Sequence, residues 1–278
     1  MNPHAGHHYR IGEIEVTPLW DGPLASSLDK IIDPAHRSEA EQLIAKSPPN
    51  ALTMEVYGYL LRIGDKLALI DTGAGRQMSA DLGKLTGALR ENGVAPEQIG
   101  HIFLTHMHRD HFGGLVDENG HAVFPNAELI VHETEATFWL QTRLEDMPKR
   151  SHRYVDLARS ILSPYMGRLR QMKSDESLMG LTARWAPGHT PGHTCWHIQS
   201  GGQSLLAWGD LVHIAWIHLP SPHIAMEYDL DPVVALQSRR RVLDWVASER
   251  LLVAGAHLPE TGVGMIARLG GGYTFESK

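Results

Sequence analysis

Cysteine is almost absent: Cys195 is the only one in 278 residues. No intrachain disulfide can form, so a disulfide-stapled scaffold and an all-cysteine zinc site are both excluded. Basic runs are also missing. The densest cluster is Arg239-Arg240-Arg241, inside a stretch of helical character, and 25 basic residues against 32 acidic ones leave a formal charge of −7. That balance argues against a nucleic-acid surface and against a polybasic membrane anchor. No long apolar run exists. The longest stretch free of Asp, Glu, Lys and Arg, 185–209, is full of Gly, Pro, His and Gln and would not partition into lipid, so no membrane span is expected. The first ten residues, MNPHAGHHYR, lack the apolar core of a secretion signal. The cytoplasm is therefore the default location. A periplasmic or secreted one stays open, because an export signal could have been trimmed ahead of Met1.

What the chain does have is histidine, 18 of them. Histidine is the commonest metal ligand and the usual general acid–base, so their placement matters more than their number. Residues 1–8 read as a flexible tail carrying His4, His7 and His8, and the chain as a whole reads as one domain, 1–278. Tyr9 to Trp20 alternates as a strand before an Asp21-Gly22-Pro23 turn, and Asp33-Pro34 opens a short helix. Met54–Ile63, Lys66–Ile70, His101–Leu104, Glu128–Val131, Leu181–Trp185, Thr194–Gln199 and Ser204–Trp208 read as strands. Residues 133–141 and 152–172 read as helical, the second interrupted at Pro164. Asp231-Pro232 caps a helix that runs to about Arg250. Short strands in groups with helices between them, and no linker, indicate an α/β fold with two sheets covered by helices.

Chemistry gathers where these apolar strand runs end. His106-x-His108-x-Asp110-His111 places four N/O ligands within six residues, a density suited to two adjacent divalent ions rather than one tetrahedral ion. Three more candidates end later strands: His193 in Pro187-Gly188-His189-Thr190-Pro191-Gly192-His193, Asp210 after Trp208-Gly209, and His257 after Gly255-Ala256. Cys195, with no activating base in line, reads as buried filler.

In this order, and with Asp71 in Ile70-Asp71-Thr72-Gly73, these motifs resemble the metallo-β-lactamase superfamily. Within it, Trp208-Gly209-Asp210-Leu211-Val212 and Phe138-Trp139-Leu140 are similar to methyl parathion hydrolases and related lactonases. The resemblance implies an αββα sandwich of two mixed sheets with a dinuclear site at one edge. Carried over, it puts the first ion on His106, His108 and His193 and the second on Asp110, His111 and His257, with Asp210 bridging. Asp71 would accept a ring N–H from a ligating histidine. Zinc is the default metal, with iron, manganese or cobalt as alternatives. The implied activity is hydrolysis of a small apolar lactone, ester or phosphotriester. Asp110 and Asp210 would be the catalytic carboxylates, and Trp139 would line the pocket; the apolar, aromatic stretch 211–219 directly after Asp210 adds Trp216 and His218 to its walls. The competing readings are a β-lactamase or thioesterase of the same fold and an iron-loaded redox or sensing protein. Homodimers are common among such relatives.

Overall fold

The computed structural model describes residues 6–76 and 78–278. The tail expected over residues 1–8 lies largely outside that range. Within it, the His8 ring is 2.8 Å from Thr17 Oγ1, next to the first strand. Two seven-stranded sheets form the body. The first contains β1 (Tyr9–Ile11), β2 (Ile14–Ala25), β3 (Thr53–Ile63), β4 (Lys66–Ile70), β5 (His101–Phe103), β6 (Glu128–His132) and β7 (Leu169–Met172). The second contains β8 (Ser177–Leu178), β9 (Leu181–Trp185), β10 (Thr194–Ser200), β11 (Gln203–Ala207), β12 (Leu252–Ala254), β13 (Val263–Leu269) and β14 (Gly272–Ser277). Both are mixed: β4 to β7 run parallel, as do β11 and β12, and the remaining pairs are antiparallel. The helices are α1 (Leu28–Ile31), α2 (Arg37–Ile44), α3 (Leu85–Glu91), α4 (Arg109–Phe112), α5 (Glu133–Ala136), α6 (His152–Leu162), α7 (Ala215–His218) and α8 (Pro232–Glu249). Among the described residues no helix is long and apolar enough to cross a membrane.

Strand alternation builds the layers. On β10, Trp196 and Ile198 face the first sheet, and Cys195 faces α8. The inter-sheet core joins Val16, Leu61, Ile70, Phe103 and Ile130 to Leu181, Trp196, Ile198 and Leu205. Phe103 and Trp196 meet edge to face at 5.0 Å, and the buried indole N–H donates to Leu104 O. Outer clusters seat α3 and α6 on the first sheet and α8 on the second, completing the αββα sandwich.

Three expectations change. The Asp21-Gly22-Pro23 turn is a bulge inside β2, because Asp21 turns inward and its carboxylate accepts the N–H groups of Ala74, Gly83 and Leu85. The helix at 152–172 ends at Leu162, where Pro164 forces a 3-10 turn, and Leu169–Met172 becomes an edge strand. The β13–β14 hairpin, whose apolar signal is weak, adds two strands to those expected.

Candidate metal centre

The parallel strands β4, β5, β11 and β12 all end at one edge of the sandwich, and each delivers a candidate side chain there. Asp71, at the end of β4, adopts a left-handed backbone (φ 56°) that aims its buried carboxylate at the loop after β5. It accepts the Thr105 N–H at 2.8 Å and the Thr105 hydroxyl at 2.7 Å, and its Oδ2 lies 2.9 Å from His111 Nδ1. His106 and His108 stand on that loop, and Asp110 and His111 on the single turn α4 that follows.

Asp210 sits on a short turn after β11, reached through Gly209, whose positive φ leaves no room for a Cβ beside Thr105 and His193. Its two oxygens face different groups. Oδ1 lies 2.9 Å from His111 Nε2 and 3.1 Å from His257 Nε2. Oδ2 lies 3.2 Å from His189 Nε2, 3.0 Å from His213 Nε2 and 3.6 Å from His106 Nε2. Two ligand sets result, sharing this one carboxylate: His106, His108, His189 and Asp210, and Asp110, His111, Asp210 and His257.

His189 thus occupies the place expected for His193. The loop after β9 turns at Gly188 so that His189 enters the centre, its Nε2 being 2.8 Å from His108 Nδ1. His193, four residues on, is spent on structure. Its Nε2 accepts the backbone N–H of Asp210 at 3.0 Å, and its Nδ1 lies 3.1 Å from Ala186 O. Two histidines in near-identical Pro-Gly-His contexts are indistinguishable by local motif, and only the loop geometry separates them.

The rings are held from behind. His257 Nδ1 faces Glu55 O at 2.7 Å. His189 Nδ1 faces Asp229 Oδ1 at 2.9 Å, and the other oxygen of Asp229 pairs with buried Arg239. Arg239 also donates to Leu211 O, Pro222 O and Ile224 O, which ties the strand-end loops together. Neither Asp229 nor Arg239 carried a signal in the sequence, because buried polar partners are chosen by three-dimensional proximity. Such partners fix ring orientation and tautomer.

Charge is concentrated here. Burial pulls the His257 ring down, but the Asp210 and Asp110 carboxylates override it and hold it up at about 10. For His189 burial is likewise outweighed, by hydrogen bonds to Asp210 and Asp229, giving about 9. Burial dominates at His106 and His108, which are pushed well below the ordinary value, and at His193, lowered to about 3. Against burial, His111 and His257 keep the Asp210 carboxyl well below the usual range. The donor set fits divalent ions. Among the described residues, His106 Nε2, His111 Nε2, His213 Nε2 and Asp210 Oδ1 are buried and close to one another but have no partner in hydrogen-bonding alignment, all around the shared carboxylate.

A cavity of about 250 Å³ opens onto the centre. Leu24, Met54, Met78, Tyr154, Tyr228 and Leu230 give it largely apolar walls, and Trp139 and His213 line it too. Trp216 and His218 do not. On α7 the Trp216 ring points outward and is 41% exposed, while buried His218 uses Nδ1 to accept the Ile214 N–H. Cys195 is buried, and burial raises its thiol to about 12, as filler should be.

Residues 54–257 match the metallo-beta-lactamase superfamily. The N-acyl homoserine lactonase of Bacillus thuringiensis is 25% identical over 235 residues, spanning 77% of this chain and 85% of that protein. Among solved structures, the hydrolase AbOPH of the beta lactamase superfamily superposes with a TM-score of 0.90 at 30% identity, covering 98% of this chain and 97% of its own. AidC, a dizinc quorum-quenching lactonase solved with the product N-hexanoyl-L-homoserine, gives a TM-score of 0.90 at 28% identity with the same coverage.

Proposed function

The chain belongs to the metallo-beta-lactamase superfamily, and from that premise we propose that it is a single-domain dinuclear metallohydrolase that opens small lactones bearing an apolar arm. The observation that carries this reading is the Asp210 carboxylate, set between two ligand groups with one oxygen toward each. His106, His108 and His189 would hold one ion, and Asp110, His111 and His257 the other. When bound, two divalent ions supply Lewis acidity toward a carbonyl oxygen and a nucleophilic water at neutral pH. Zinc suits the all-N/O ligand set.

The protein's own groups do the rest. Asp110 Oδ2 lies 3.4 Å from His257 Nε2, and Asp110 lines the cavity, where it can pass a proton to the departing alkoxide. Trp139, Met54, Tyr154 and Tyr228 exclude water from the acyl arm and orient the ring over the centre. Lys30, Arg109 and Arg153 also line the cavity and place positive charge beside its apolar walls. The AidC product complex and the Bacillus lactonase support a lactone over a β-lactam.

The test is kcat/KM on metal-replete protein for an acyl homoserine lactone, an aryl lactone and a methyl phosphotriester, with Asp210→Ala as control. Lactone turnover well above phosphotriester turnover, abolished by the substitution, is expected. The reverse order would make it a phosphotriesterase, and silence on all three would remove the substrate assignment.

A further inference from the structure

Glu135, on α5, is fully buried and touches no candidate ligand, yet its carboxylate accepts four hydrogen bonds. Oε1 receives the Met107 N–H and the Trp139 indole N–H, both at 2.8 Å. Oε2 receives the Thr190 hydroxyl at 2.7 Å and the Gly192 N–H at 2.9 Å. Met107 lies between His106 and His108, and Thr190 follows His189. One carboxylate therefore joins the loop after β5 to the loop after β9, one oxygen to each.

The contact is close enough to restrict the sequence on both sides. A Cβ on Gly192 would lie 2.2 Å from the Glu135 backbone nitrogen, so only glycine lets the loop come this near. All four partners are donors, which an ionised carboxylate satisfies and an amide cannot, because its NH2 would face N–H groups on one side or the other. The second ligand group is braced separately, by Asp71 behind His111 and by Glu55 O behind His257.

We propose that Glu135 is a positioning residue that sets the spacing between His106/His108 and His189, and so governs the affinity of that ion site alone. The inference rests on the reading that these groups hold divalent ions. Loss of the clamp lets the two loops drift by a fraction of an ångström. Ligands on both loops then cannot meet one ion in good geometry, while the Asp110/His111/His257 group keeps its own supports.

The experiment titrates metal-free full-length protein with zinc against a chromophoric chelator, which resolves two dissociation constants, alongside the thermal stability of the metal-free form. In Glu135→Gln one constant is expected to rise roughly 10- to 100-fold, the range typical of lost outer partners, with the other within about threefold. Thr190→Val removes one leg and should move the same constant in the same direction, by less. Two unchanged constants in Glu135→Gln would overturn the proposal. So would a parallel loss of both in step with stability, which would make Glu135 a general core group. If Glu135→Gln does not fold, Thr190→Val decides alone, and an unchanged pair of constants counts against the clamp. A wild-type chain that binds no zinc overturns the dinuclear reading itself and this inference with it. That failure is visible before any variant is made.

Discussion

The backbone N–H of Asp210 donates to Nε2 of His193 at 3.0 Å, and this bond separates two histidines with almost the same local sequence. Because that ring nitrogen is engaged, His193 is a strut under the shared carboxylate, whereas His189 reaches the centre. His189→Ala is therefore expected to reduce bound zinc from two ions to one per chain and kcat/KM by at least about 100-fold. His193→Ala should keep both ions, lose stability, and weaken metal affinity by about tenfold. Metal analysis after gel filtration, with chelator titration, distinguishes them. Loss of an ion in the His193 variant would reverse the assignment.

Asp229 carries the next prediction. It is buried between the His189 ring and Arg239, so its removal loosens a ligand and strands a buried guanidinium. Asp229→Asn preserves shape and one acceptor, and should weaken one zinc affinity about 10- to 100-fold. Both substitutions remove the counter-charge of buried Arg239, but Asp229→Ala also removes every acceptor at that position, a cost of about 3–5 kcal/mol. It should lower the denaturation midpoint sharply even in excess zinc. Equal effects of the two substitutions would remove the orienting role.

The pH dependence of the metal-free protein follows from opposed histidines. His257 at about 10 and His189 at about 9 sit above the ordinary 6.5. Their stabilisation is complete below pH 6.5 and is lost as pH rises through 9 to 10. His106, His108 and His193 are depressed, so the folded state resists their protonation and stability falls as pH drops below 6.5. The metal-free Tm should peak near pH 6.5 and drop by roughly 3–10 °C toward both pH 5 and pH 9.5. On the proposed dinuclear reading zinc would replace the protons on His257 and His189, so its stabilising effect should grow with pH and its binding should release protons into weak buffer. A metal-free Tm that is flat from about pH 6.5 to 9.5 would show that the two rings are not charged.

Much of this was legible beforehand because short-range signals were strong. His106-x-His108-x-Asp110-His111 is contiguous, and Asp210 and His257 each come within three residues of the end of an apolar strand run. The layers were equally readable from alternation, as in β10, where Trp196 and Cys195 take opposite faces. What escapes the sequence depends on distance in the chain. Glu135 lies 57 residues from Gly192, and Asp229 lies 40 from His189, so no local pattern marks either pair. His213 belongs to no motif in the sequence. Its contact with Asp210 at i+3 depends on the turn at Gly209–Leu211. The choice of Trp216 over the methionines and tyrosines that line the cavity followed proximity in sequence to Asp210. On a four-residue helix, proximity in sequence does not say which way a ring points.

Asp110 offers a test that separates chemistry from scaffolding. Its carboxylate belongs to one ligand group through its contacts with His111 Nε2 at 3.6 Å and His257 Nε2 at 3.4 Å. These distances are longer than those Asp210 makes to the same two rings, and Asp110 faces the cavity rather than the core. A loosely held carboxylate at that position can accept a proton and deliver it to a leaving alkoxide, which an amide cannot do. Asp110→Asn, assayed at saturating zinc, should lose about 100- to 1,000-fold in kcat on aliphatic lactones, whose alkoxides need that proton. On aryl esters, whose phenolates leave unaided, the loss should stay near tenfold. The slope of log kcat against leaving-group pKa should steepen in the variant. An equal loss across the series, with both ions still bound, would reduce Asp110 to a ligand and leave the proton to be carried by another group in the cavity.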